Sequence, residues 1–142
     1  MRYTKSNHSI YQTQYHIVWI PRYRRKIFVT GVKEYMEELL RHFPNLQSDI
    51  VVKEVNLQLD HIHLIINIPP RVAVARVVSF LKSQSGKRLK AKYAFLQKVY
   101  WDGSSVWSRG YCVSTIGLNE KQILAYVRYQ DTEDQGQLTL TL

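Results

Sequence analysis

The sequence predicts an α+β fold built on one antiparallel sheet, and three observations lead there. Aromatic and β-branched residues nearly alternate in "YQTQYHIVWI", Tyr11 to Ile20. Two short apolar runs, Asp49 to Leu57 and His61 to Ile68, follow one another across a short connection. Segments with apolar residues at helical spacing lie before and after that pair. The order is β-α-β-β-α-β with an additional C-terminal helix, the split βαβ, ferredoxin-like (RRM-like) arrangement. In such a fold both crossover helices cover one face of the sheet and leave the other open to a ligand.

Each element has a local reason. Pro21 stops the first strand, and Val32, Tyr35, Met36, Leu39, Leu40 and Phe43 then recur at spacings of three and four before Pro44, which makes an amphipathic helix with a clear end. The two central runs form a hairpin, closed by Pro69 and Pro70. Val74, Val77, Val78, Leu81 and Leu89 mark a second helix between Val72 and Leu96, with Gly86 as a point of interruption. "YCVSTIG" (Tyr111 to Gly117) reads as the fourth strand, and Asn119 caps a helix running to Asp134. The closing "QGQLTLTL" reads as a short strand or a frayed tail.

A chain of 142 residues with 45% hydrophobic content buries a real core, so a single domain over residues 1–142 is expected. Twenty Lys and Arg against eleven Asp and Glu give a formal charge of +9, a field that suits a polyanion. Nucleic acid is the first candidate and anionic membrane the second. Cys112 is the only cysteine, which excludes an intramolecular disulfide and a cysteine zinc site within one chain. No stretch approaches the ~20 apolar residues of a membrane span, nor is there a signal-length apolar segment at the start, so a soluble, cytoplasmic protein is expected.

The chemistry centres on "LDHIHLIINIPP". Alternation along a strand puts His61 and His63 on one face, roughly 7 Å apart, and Ile62, Leu64, Ile66 and Ile68 on the other. With the aliphatic set under the helices, both imidazoles stand on the open face, where two ring nitrogens can converge on one ion. Asp60 is placed to accept a hydrogen bond from an imidazole and hold its tautomer, or simply to make the turn. On the last helix Tyr126 and Gln130 lie one turn apart, and a Gln130 carbonyl oxygen would complete two nitrogens and one oxygen. By spacing alone, Tyr129 with Glu133 is an equally good pair.

With these residues assembled, the chain resembles the single-tyrosine HUH transposases of bacterial and archaeal insertion sequences, which move as single-stranded DNA. The histidine–hydrophobe–histidine motif is His61-Ile62-His63, and the family's Tyr-x-x-x-Gln helix matches "YVRYQ". "YHIVWIPRYRRKIF" (Tyr15 to Phe28) and "VWSRGYCVSTIG" (Val106 to Gly117) are similar to the family in the same order. The resemblance selects Tyr126 as nucleophile over Tyr129, since only Tyr126 has glutamine four residues on. It implies a divalent metal, Mg²⁺ or Mn²⁺, held by His61, His63 and Gln130, with Asp60 behind the histidines. It implies hairpin-ended single-stranded DNA as substrate, and a homodimer in which the tyrosine helix of one subunit can complete the site of the other.

Clustering marks Arg22, Arg24, Arg25, Lys82, Lys87 and Arg88 as expected DNA phosphate contacts, with Tyr23 and Trp107 as platforms for unpaired bases, a place in the core being an equally good reading of Trp107. Three rivals make different demands. A domesticated relative would act on genomic hairpin repeats and lack flanking insertion-end repeats. A noncatalytic RRM-like module would bind without metal. A hydrolase using activated water would keep its turnover in Tyr126→Phe.

Overall fold

The computed structural model describes residues 4–5, 10–101 and 105–141, and the side chains of the last five of these are not described. Its main sheet has four antiparallel strands, β3 (Gln14–Trp19), β4 (Val51–Gln58), β5 (His61–Asn67) and β6 (Cys112–Ser114), in the order β4-β5-β3-β6. Two short strands, β1 (Thr4–Lys5) and β2 (Ile10–Tyr11), pair with each other. The stretch expected as one strand from Tyr11 therefore breaks at Gln12 and Thr13. Thr13 is tied across to the backbone of Ile68, whose N–H donates to the Thr13 carbonyl at 3.0 Å.

Helix α1 (Val32–Arg41) begins at Gly31, whose N–H donates to Glu34 Oε2 at 2.5 Å, and it buries Val32, Met36 and Leu40. Helix α2 (Val74–Lys92) buries Val77, Val78, Leu81 and Leu89, and α3 (Ala94–Val99) follows it directly. These side chains form one core with Ile17 and Trp19 of β3, Val55 and Leu57 of β4, and Ile62, Leu64 and Ile66 of β5. The predicted alternation in β5 holds residue by residue, with each apolar partner buried and each intervening residue half-buried.

Three expectations change. Gly86 does not interrupt α2. A Cβ there would sit 3.5 Å from Trp107 Nε1, so the indole packs onto the bare backbone and tertiary contact outweighs glycine's poor helix propensity. The tail expected as strand or frayed end continues as helix, α4 spanning Glu120–Thr141. The second face of the sheet is also partly covered rather than fully open. Val18 and Ile20 point that way, and Ile123 and Val127 of α4 bury them in a small second core. Among the described residues no helix is long and apolar enough to cross a membrane.

Candidate active site

The hairpin that carries the histidines turns at Leu59 and Asp60. His61 Nδ1–H donates to Asp60 Oδ1 at 2.9 Å, and Arg24 Nε–H donates to Asp60 Oδ2 at 2.8 Å. Burial alone would raise the Asp60 pKa. The hydrogen bonds from His61 and Arg24, with their charges, outweigh it and hold the carboxyl below its ordinary value. With its proton on Nδ1, His61 keeps the Nε2 lone pair for a ligand. Arg24, expected as a DNA contact, is thus engaged with Asp60.

His63 has a neighbour that sequence reading gave no role. His16 of β3 lies diagonally across from it, with His16 Nδ1 and His63 Nε2 3.1 Å apart and ring centroids at 5.3 Å. Burial, then the nearby His16 and His61, pulls the His63 pKa below its usual value, against a smaller opposing effect of Glu54. A neutral imidazole is the form that binds metal. The available signal was the register: His16 pairs with Ile65, two residues from His63 on the same face. A single strand read alone does not reveal its neighbour.

The histidines open into a cleft of about 550 Å³. Asn56 and Gln58 line it from β4, and Glu120, Ile123 and Leu124 line it from α4, with Lys26 beside them. Among the described residues no group of three or more His, Cys, Asp or Glu is arranged to hold a metal ion. The paired imidazoles, one of them oriented by a carboxylate, fit the nitrogen part of the expected ligand set. A third protein donor has to be of another type or come from elsewhere.

Tyr126 and Gln130 are held by α4, whose first turn is capped reciprocally: Gln122 N–H donates to Asn119 Oδ1 at 2.8 Å and Asn119 N–H to Gln122 Oε1 at 3.0 Å. Tyr126 O–H donates to Gln130 Oε1 at 3.3 Å, and Gln130 Nε2–H donates to Asp134 Oδ1 at 3.2 Å. A Cβ on Gly110 would collide with Gln130 Oε1. Burial, with smaller effects of Cys112, Asp134 and Tyr129, raises the Tyr126 pKa well above its ordinary value. Tyr129 is 61% exposed and Glu133 is exposed as well, so that rival pair faces solvent.

Neither Tyr126 nor Gln130 lines the histidine cleft. Register gives the reason: Cys112 pairs with Val18, and Val18 with His63, so Cys112 stands two strands from His63, about 10 Å away. Tyr126 packs in the small core beside Cys112, and Gln130 lies over Gly110. Within one chain Tyr126 and the histidines are on the same face of the sheet, and Tyr126 stays outside the histidine cleft.

The remaining basic residues divide. Lys87 and Arg88 are exposed on α2, and Arg25 is exposed, with its guanidinium 5.6 Å from the centroid of the Tyr23 ring. Arg22 stacks on the same ring at 5.4 Å. Lys82, expected on the surface, turns inward: its Nζ donates to the carbonyls of Ser108 at 2.6 Å and Gly110 at 3.0 Å. Burial lowers its pKa to about 8, with Asp134 acting in the opposite direction. Trp107, for which sequence leaves platform and core both open, is 1% exposed and belongs to the main core.

Lys82 makes a pH prediction. Its folded pKa of about 8 lies below the ordinary 10.5, so the unfolded chain binds that proton more tightly. The wild type is therefore expected to gain stability relative to Lys82→Met as pH rises from about 8 to about 10.5, by no more than ~3 kcal/mol. Urea midpoints of both proteins across that range test it; parallel curves would show that Lys82 titrates normally.

The family profile described as "Transposase IS200 like" matches residues 9–130, which include His61, His63, Tyr126 and Gln130. The chain belongs to the IS200-like transposase family. It is 31% identical over 128 residues to the IS200 transposase of Salmonella typhimurium, covering 90% of this chain and 83% of the relative. It is 29% identical over 126 residues to the ISDra2 transposase TnpA of Deinococcus radiodurans, covering 88% and 89%. A crystal structure of a Deinococcus radiodurans protein classed as a transposase superposes with a TM-score of 0.77 at 25% identity, over 89% of this chain and 97% of that one.

Proposed function

We infer that this transposase cleaves and rejoins single-stranded DNA at insertion-sequence ends through a 5′-phosphotyrosine on Tyr126. The observation that carries the reading is the Asp60–His61–His63 arrangement: two imidazoles on one sheet face, the first oriented by a half-buried carboxylate, in the cleft that α4 borders. A divalent ion, Mg²⁺ or Mn²⁺, held by His61, His63 and Gln130, would neutralise charge on a nonbridging oxygen of the scissile phosphate. Asp60 keeps the His61 lone pair aimed outward. Tyr126 loses its phenolic proton and its Oη attacks phosphorus. The P–O3′ bond breaks, the 3′ oxygen leaves as a hydroxyl by taking from water the equivalent of the proton Tyr126 gave up, and the 5′ phosphate stays on Tyr126. Attack by another 3′ hydroxyl on that phosphotyrosine reforms a phosphodiester and frees the phenol, so rejoining needs no ATP.

Two features support a homodimer that shares sites in trans. Tyr126 and Gln130 stay outside the histidine cleft of their own chain, beside the β6 side of the sheet, so that α4 of a second copy could supply them. The edge strand β6 also leaves Val113 and, just past it, Ile116 exposed. The test uses single-stranded oligonucleotides copied from DNA flanking the gene, with Mn²⁺ or with chelator, on denaturing gels. A slow-migrating covalent adduct that requires metal is expected. Mixing Tyr126→Phe with His63→Ala is expected to restore adduct if sites are shared in trans and to leave none if they are not. Tight, salt-sensitive binding with no adduct on any flank would favour the noncatalytic RRM-like module instead.

Asp60→Ala is expected to weaken Mn²⁺ binding about 10- to 100-fold by releasing the His61 ring, as loss of an orienting carboxylate does at other metal sites. Titration calorimetry of Mn²⁺ into the DNA complex measures it. Unchanged affinity would reduce Asp60 to a turn residue.

A further inference from the structure

We propose that Asp134 is a positioning residue that sets which end of the Gln130 side-chain amide faces Tyr126. The inference rests on the metal role of Gln130 given above, and concerns a residue four positions beyond the end of the family match. The two ends of an amide are chemically opposite: the oxygen accepts and can ligate, while the NH₂ only donates. Their shapes are nearly identical, so packing does not choose between them. A neighbouring group of fixed polarity does.

Asp134 is that group. It is 1% exposed, and its carboxylate accepts from three directions. Gln130 Nε2–H reaches Oδ1 at 3.2 Å, the Tyr23 backbone N–H reaches Oδ2 at 2.9 Å, and the Ser108 hydroxyl also donates to Oδ2. With NH₂ drawn to Asp134, Oε1 is left toward the Tyr126 phenol, from which it accepts a hydrogen bond at 3.3 Å. Reversing the amide would set its oxygen against a carboxylate oxygen. Tyr126, Gln130 and Asp134 recur at intervals of four on one face of one helix, so the Gln130–Asp134 bond travels with α4 whichever subunit's histidines it serves. The Tyr23 and Ser108 bonds are different in kind. They tie α4 to the turn after β3, where Tyr23 and Arg24 take left-handed backbone angles (φ 62° and 53°), and to the segment before Gly110.

The polarity argument yields a test by exchange. In Asp134→Asn the donors Ser108 and Tyr23 keep the carboxamide oxygen at the Oδ2 position, so the new NH₂ faces Gln130 and demands an acceptor. The Gln130 amide is then expected to turn over, bringing its NH₂ to Tyr126. Gln130→Glu in that background restores an oxygen at both ends: one accepts from the carboxamide NH₂ introduced by Asp134→Asn, and the other faces Tyr126. Gln130→Glu alone sets two carboxylates together.

Three measurements are made on the full chain: nuclear Overhauser contacts of the Gln130 side-chain NH₂, Mn²⁺ affinity of the DNA complex by calorimetry, and the rate of adduct formation. Urea midpoints confirm folding. In the wild type the NH₂ is expected to contact Asp134 protons, and in Asp134→Asn the Tyr126 ring. Affinity and rate are expected to fall about 10- to 100-fold in Asp134→Asn and to recover in the double variant above either single one. An unmoved NH₂ contact, wild-type affinity in Asp134→Asn, or a double variant no better than the singles would overturn the positioning role and leave Asp134 as an anchor of α4. The contact readout needs no metal. A wild type without metal binding or adduct whose NH₂ contact still swaps in Asp134→Asn would overturn the proposed reaction while upholding the polarity control.

Discussion

Tyr126→Phe is expected to abolish the covalent protein–DNA adduct, with a fall in strand cleavage of about 10⁴-fold or more, while leaving the fold and DNA binding intact. The phenolic oxygen, the proposed nucleophile, is the only heavy atom removed, and no other hydroxyl on that face of α4 stands beside Gln130 among the described residues. The change is mild structurally, because the lost hydrogen bond to Gln130 is long and the ring still packs in the small core with Val18, Ile20 and Val127. Tyr129→Phe serves as control and is expected to keep wild-type rates, since Tyr129 is 61% exposed and makes no contact with Gln130 among the described hydrogen bonds. Adduct lost only in Tyr129→Phe would move the nucleophile to that residue. Cleavage that survives Tyr126→Phe without adduct would show water as the attacking group. In the conformation described, burial raises the Tyr126 pKa above its ordinary value.

Trp107→Ala is expected to cost about 3–5 kcal/mol of stability, a large part of the ~5–15 kcal/mol that a domain of this kind holds. The indole meets Trp19 edge-on at 6.0 Å between centroids and lies 5.8 Å from Phe28, and its Nε1–H donates to Ser85 Oγ at 3.1 Å. Removing it opens a cavity beside Gly86 and takes away the donor to Ser85 Oγ, which keeps only its own bond to the Lys82 carbonyl at 3.2 Å. Urea unfolding reads the loss directly. A base-stacking platform would behave otherwise, losing ~1–3 kcal/mol of DNA affinity with stability unchanged, and that outcome would return Trp107 to the DNA-binding surface.

These two residues show how legibility differs along the chain. Tyr126 is ambiguous by spacing, because helical period equally favours Tyr129 with Glu133; the family resemblance chooses between them. Trp107 sits in an irregular segment with no period to assign it to a face, so sequence leaves platform and core equally open until α2 and β3 are in place. The basic residues mislead for a related reason. Arg24 and Lys82 look like solvated charge in sequence, yet Arg24 meets a carboxylate 36 residues away and Lys82 two carbonyls 26 and 28 residues away. Of the six, Arg25, Lys87 and Arg88 are exposed as expected.

Local periodicity determined the strands, the helices and the face on which His61 and His63 stand, because alternation along a strand and 3.6-residue spacing along a helix are properties of neighbouring residues. The Asp60–His61 contact is equally local, one residue apart. Tertiary structure alone decided what lies across the sheet and beneath α4: His16 against His63, Asp134 gathering Gln130, Ser108 and Tyr23, and Tyr126 outside the histidine cleft of its own chain. Apart from the Gln130–Asp134 pair, those juxtapositions join residues far apart in the chain. They follow from strand order and from apolar residues on both faces of β3, which let α4 settle over Val18 and Ile20, and no periodicity within a single element encodes where another element will rest.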